Sequence, residues 1–147
     1  MSVDTLDSTT LQEANKALVR SYHERLWGTG DLSVIGEVWS PDAKVSMTDF
    51  DGTALDTVVE DAQRYFGAFN DVSTTIHDLL AEGDKVVLHW STVGTHVGPY
   101  GEVQPTGKQI TMAGMDILTI KNGKIVEIAS MWDGMTVYDQ LGVLKIG

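Results

Sequence analysis

Helical spacing at the start of the chain and strand-like runs after it predict an α+β fold, with the helices grouped ahead of an antiparallel sheet. Three observations carry this. Leu11, Ala14, Leu18, Tyr22 and Leu26 recur at helical spacing, as do Ala62, Tyr65, Phe66 and Phe69. After Asn70-Asp71 the pattern turns to long runs rich in strand-forming residues. Between those runs stand Glu82-Gly83-Asp84 and Asn122-Gly123, sequences that favour hairpin turns.

Taken in order, residues 1–8 read as a loose tail and residues 9–147 as a single domain. Thr10-Leu11-Gln12-Glu13 is a capping box, with a hydroxyl at the helix start and a carboxylate three residues on. The helix should stop near Gly28-Thr29-Gly30. Asp31 can cap a second, short helix carrying Leu32, Ile35 and Trp39, which Pro41 ends. Residues 43–47 read as a short strand and Asp51-Gly52 as a turn. Thr57-Val58-Val59-Glu60 is a second capping box. Residues 72–80, 85–97, 109–120 and 124–132 are the strands, and 135–141 a short terminal helix. A long curved sheet wrapped around the helices would leave an apolar pocket between them.

Composition excludes several classes. The chain has 147 residues, 42% hydrophobic, enough for one sizeable core. It has no cysteine, so disulfides and thiolate chemistry are out, and its four histidines lack metal-ligand spacing. Ten basic against 21 acidic residues give a formal charge of -11. Such a surface argues against nucleic acid and anionic membranes, because phosphate binding needs a basic footprint. The polar, acidic start is unlike a signal peptide, and no apolar run approaches a membrane span. A soluble, cytoplasmic protein is expected.

Several residues could carry chemistry. Asp133 follows Trp132 and Met131 at the end of a strand expected to be buried. Loss of solvation there would raise its pKa into the range of a general acid/base, while the competing reading makes it the cap of the terminal helix. Asp116 lies mid-strand between Met115 and Ile117, either buried with a partner or facing solvent. Tyr22 is on the apolar face of the first helix, as a donor or as a core tyrosine. His89 is a pocket donor or a structural strand residue. His96, between Gly94 and Gly98, could be aimed by a bend or bulge, or could hold its own loop. Asp49 would share the face of Met47 if that strand continues. Trp27, Trp39, Trp90, Trp132, Met47, Met112, Met115, Met131 and Met135 could line an apolar cavity, where Met adapts to irregular ligands.

The ordered set Gly94-Thr95-His96-Val97-Gly98, Pro105-Thr106-Gly107-Lys108, Met115-Asp116-Ile117-Leu118, Asn122-Gly123-Lys124-Ile125-Val126-Glu127 and Trp132-Asp133 resembles the carboxy-terminal half of the SnoaL-like polyketide cyclases. Gln140-Leu141-Gly142 begins seven residues after Asp133, as in that family's pattern. The resemblance spans roughly residues 13–142 and implies the cone-shaped fold of nuclear transport factor 2, a curved antiparallel or mixed sheet around amino-terminal helices. It also implies a cofactor-independent cyclase acting on a small-molecule polyketide, with no metal, and a homodimer formed through the outer sheet face. Asp133 would be the acid/base of an intramolecular aldol closure, with Tyr22, His96 and Asp116 as donors.

Tyr22 and Asp116 also resemble the two donors of ketosteroid isomerases, but Met47 stands where their basic Asp should be, and Met cannot accept a proton. Limonene epoxide hydrolases share the fold and use an Asp-Arg-Asp set. His89 and Ser91 occupy the region where its Arg and first Asp would fall. The alternatives to aldol closure are a pericyclic or oxa-cyclisation step in the same pocket, an epoxide hydrolase or isomerase, and a non-catalytic binding domain.

Overall fold

The structure, a computed structural model, describes residues 8–47, 50–52 and 55–144. Helix α1 covers Ser8–His23 and runs into a wider π turn, Glu24–Gly28, then helix α2, Ser33–Val38. Strands β1 (Trp39–Met47) and β2 (Phe50–Gly52) precede helix α3, Leu55–Ala68. Four long strands follow, β3 (Phe69–Glu82), β4 (Lys85–His96), β5 (Gln109–Lys121) and β6 (Lys124–Trp132), and helix α4, Gly134–Leu141, ends the described chain. The predicted tail falls on residues outside the described ones, except that Ser8 already belongs to α1.

The six strands form one sheet in the order β2-β1-β6-β5-β4-β3. β1 runs parallel to β6 and every other pair is antiparallel, so the α+β class stands, with a mixed sheet. The β5–β6 turn forms as expected: Asn122 and Gly123 both take positive φ, 51° and 72°. The N-cap of α2 is Leu32, and Asp31, one residue before it, holds the helix start through its carboxylate, which accepts the Ser33 N–H at 3.1 Å. Its other oxygen takes two bonds from Arg25, which also holds Glu37, so one guanidinium ties the loop to α2.

Some boundaries differ from expectation. Thr10 and Thr57 lie inside their helices, because α1 is already helical at Ser8 and α3 starts at Leu55, with Asp56 in its first turn. A carboxylate there suits the positive end of the helix dipole. Pro41 does not end the helix: α2 already stops at Val38, and Pro41 is the third residue of β1. Trp39 is the first residue of β1 and is buried against Tyr22.

Gly94 makes no bulge: β4 pairs with β5 without a break through Gly94 opposite Ile110. Its lack of a side chain instead leaves room for Phe69 and Tyr65, which an added Cβ would meet at 3.0 Å. The break opposite Gly94 is on β3, where the register slips between Asn70 and Ser73, and further bulges lie between Ile76 and Asp78 opposite His89, and between Thr119 and Ile120.

The sheet's inner face packs on the helices. One apolar cluster joins Val19, Leu26 and Val34 to Leu88, Leu118 and Ile125, and a second gathers Tyr65, Phe69, Ile110, Val137 and Leu141. Between the two clusters the packing is incomplete, and the space left there is the candidate site.

Candidate active site

The inner faces of β4, β5 and β6 present Trp90 and Thr92, Met112 and Asp116, and Ile128, Ser130 and Trp132 to a pocket. Helix α1 and its π turn close it with Tyr22, His23 and Trp27, and α3 adds Val58, Asp61 and Tyr65. The free space inside is about 70 Å³ at rest, room for little more than water. A bulky ligand therefore has to displace lining side chains, and Met112 is the most adaptable of them.

Asp116 is the centre of this site. It is 6% exposed, in the middle of β5. Its Oδ1 accepts the Ser130 hydroxyl at 2.6 Å and the Trp90 indole N–H at 3.2 Å. Both donors act on one oxygen, and among the described residues none reaches Oδ2. Burial pushes the carboxyl up to about 6, against the pull of the Ser130 and Trp90 bonds and with a further push from Asp61. Gly114 makes the Trp90 contact possible. Any Cβ there would lie 2.6 Å from the indole, so only glycine lets that ring cross β5 toward Asp116.

Around Asp116 the other groups are held in defined states. Tyr22 is buried, and its phenol is pushed up by burial and then by the Asp116 charge, so it remains a protonated donor. His23 is 1% exposed and burial lowers it to about 4, which keeps the imidazole neutral near pH 7. Asp61 is paired with Arg64 at 3.5 Å. Among the described residues, no group of three His, Cys, Asp or Glu is placed to hold a metal ion.

The structure brings together Tyr22, Trp27, Trp90, Met112, Asp116 and Trp132 of the residues singled out from the sequence. It places the others elsewhere. Asp133 is exposed, not buried as expected: it is the N-cap of α4, accepting the Thr136 N–H at 3.1 Å and the Thr136 hydroxyl. Those bonds hold its carboxyl below the usual range, the reverse of the expected rise. The alternation of β6 ends at Trp132, so the next residue turns outward.

Met115 and Met131 are 52% and 74% exposed, because they alternate with Asp116 and Ser130 and so face the other side of the sheet. With His89, Ile117 and Asp133 they line a shallow apolar groove on that outer face, which Trp132 also borders. His96 is fully buried but away from the pocket: its Nδ1 accepts the Thr106 N–H at 3.1 Å and meets the Thr106 hydroxyl at 3.0 Å, tying the loop between β4 and β5 back to the end of β4. Met47 lies in β1 beside Ser130 of β6, and its side chain and the whole of Asp49 lie outside the described residues.

The sequence reading missed His23, Asp61, Thr92 and Ser130 as pocket residues. His23 is one residue on from Tyr22, so a wider helical stripe would have included it.

Comparison with known proteins places the chain in a family and agrees with its fold. The family model of SnoaL-like polyketide cyclases matches residues 17–141. AclR of Streptomyces galilaeus, provisionally assigned as a hydroxylase, is 28% identical with a TM-score of 0.84, over 92% of this chain and 85% of that one. IdmH of Streptomyces antibioticus, provisionally assigned as a polyketide cyclase, is 25% identical with a TM-score of 0.75, over 88% and 99%. A SnoaL-like protein of Jannaschia sp. CCS1, given the same provisional assignment, shares the fold at 20% identity and a TM-score of 0.82, over 92% and 96%. No functionally curated protein matches the chain.

Proposed function

Because this chain belongs to the SnoaL-like polyketide cyclase family, we propose that its pocket closes a ring in a polyketide by cofactor-independent acid/base catalysis, with Asp116 as the acid/base. The single observation that carries the reading is the buried Asp116 carboxyl, with both protein donors on Oδ1 and Oδ2 left to exchange a proton. A carboxyl raised to about 6 is mostly ionised at neutral pH, yet it is a stronger base than a solvated one.

The steps follow from that arrangement. Asp116 removes an acidic proton from a carbon next to a carbonyl. Tyr22 donates to the enolate oxygen that forms. The enolate carbon attacks a second carbonyl of the same molecule, forming the ring C–C bond and turning that C=O into an alkoxide. Asp116 returns its proton to the alkoxide. The pocket's rings hold the chain folded for attack, which lowers the entropic part of the barrier. Asp133 acts at a distance, by capping α4 and fixing the chain just after Trp132.

AclR, with its hydroxylase assignment, supports a second reading, in which the same enolate is oxidised by dioxygen instead of attacking a carbonyl. One mass-spectrometric screen separates the two. Purified protein is given linear and partly cyclised polyketide esters in heavy-oxygen water, under normal and then heavy dioxygen. A product of unchanged mass, or lighter by one water, is expected. Label from dioxygen would move the assignment to hydroxylase, and label from water to hydrolase. Asp133→Ala should keep its turnover while losing about 1 kcal/mol of stability with the cap; loss of turnover in that folded variant would restore Asp133 to the chemistry.

The outer groove has its own expected use. Met115, Ile117 and Met131 are exposed together there, and burying them between two copies would remove an apolar patch from water. Light scattering on a sizing column should give twice the 16.0 kDa chain mass, and Met131→Lys should halve it. A parent protein that elutes at the single-chain mass would contradict the homodimer.

A further inference from the structure

We propose that His23 is a specificity-determining residue: its bare Nδ1 accepts a hydrogen bond from a hydroxyl of the bound ligand. The inference deepens the assignment of the pocket as the substrate site and rests on it.

Thr74 Oγ1 has three neighbours: His23 Nε2 at 2.8 Å, the Thr92 hydroxyl at 3.1 Å and the Ser91 carbonyl at 3.2 Å. A hydroxyl has one hydrogen to give and two lone pairs to receive. The carbonyl can only accept, so it takes the Thr74 hydrogen. Thr92 and His23 must then both donate to Thr74.

That fixes the His23 tautomer, with the proton on Nε2 and a lone pair on Nδ1. Nδ1 is buried and has no partner among the described residues. The opposite tautomer would leave the Ser91 contact unfilled and bury an orphan N–H in place of a bare acceptor. Burial keeps the ring neutral near pH 7, so the lone pair persists there.

Position turns the orphan into a reader. His23 lines the pocket and its ring lies 5.9 Å from that of Trp90, the residue that donates to Asp116. A buried acceptor without a donor costs stability until a ligand or water supplies one. The donors an uncharged polyketide carries are its O–H groups, alcoholic, enolic or phenolic, of which the more acidic enolic and phenolic ones donate most strongly. His23 thus selects a substrate with a hydroxyl on the α1 side of the pocket, and it disfavours one in which that oxygen is methylated.

The probes are 2-naphthol and its methyl ether, 2-methoxynaphthalene, with nitrogen-15 imidazole NMR on the full chain. The expected result has three parts: the free protein shows the Nε2-protonated tautomer, naphthol moves the Nδ1 signal and not Nε2, and naphthol binds roughly tenfold more tightly than the ether. His23→Phe should bring the two affinities together. A proton found on Nδ1, or an unmoved Nδ1 signal in a naphthol-saturated sample, would overturn the inference. Equal affinities in the parent protein would overturn it too, while leaving the pocket as the ligand site. Failure of both probes to bind would count against the pocket and the inference together.

Discussion

Asp116→Asn should make the protein more stable and nearly inactive. Asparagine keeps an Oδ1 acceptor for Trp90 and Ser130, removes the charge, and puts an NH2 group in place of Oδ2 on the pocket side. The folded-state pKa of Asp116 is raised from 3.8 to about 6, so its contribution to stability is fully present below 3.8 and lost as pH rises through 6. At pH 8 the buried charge costs about 3 kcal/mol, from a shift of roughly two units. Urea unfolding at pH 8 should therefore show a higher midpoint for the variant, and at pH 3.5 no difference.

His23 has the opposite sign. Its pKa falls from 6.5 to about 4, so its contribution is present above 6.5 and lost as pH falls through 4. The two slopes offset each other in the parent between pH 4 and 6.5. Asp116→Asn should uncover the His23 slope, and stability should then fall on acidification across that window. Turnover of the same variant should drop by about 10²–10⁴, the usual worth of a positioned proton-transfer group. Unchanged turnover, in a variant stabilised as expected, would place the base elsewhere.

Gly98→Ala should cost about 3 kcal/mol, from overpacking against backbone that cannot move aside. A Cβ at Gly98 would stand 2.2 Å from the Gly67 carbonyl oxygen. The N–H groups of Val97 and Gly98 both donate to the Ala68 carbonyl, at 2.8 and 3.0 Å, and bind the loop after β4 to the end of α3. Alanine would push that loop away, strain both bonds and disturb His96 beside it. Calorimetry should show a Tm lower by roughly 10 °C for a domain of this size. Gly36→Ala is the control, since nothing lies within 4 Å of its added Cβ and the position is helical, so its Tm should hold or rise. A Gly98→Ala Tm within 2 °C of the parent would show that the loop gives way.

The architecture was readable because local signals agreed with the tertiary ones. Predicted and observed strands coincide at Lys124–Trp132 and differ by one residue at the ends of β4 and β5. The site was readable where alternation held, at Trp90, Asp116 and Trp132. It failed at Asp133, Ser130 and Asp61, each for a different reason. Asp133 follows the last residue of β6, where a carboxylate serves the next helix rather than the pocket. Ser130 was hidden by the bulge at Thr119/Ile120. Counting back from the tight turn would pair Asp116 with Ala129, and the one-residue slip pairs it with Ser130 instead. Asp61 was hidden because a charged helical residue reads as solvent-facing until its helix is placed over the sheet.

The strict two-sidedness of β4, β5 and β6 also bears on how such proteins diverge. From Ile110 to Leu118 and from Ile128 to Trp132, even-numbered residues look into the pocket and core and odd-numbered ones look out. A lineage can therefore alter what it accepts by drift at one parity while inheriting its exterior unchanged at the other. Trp132, the residue common to both walls, is the place where that independence ends.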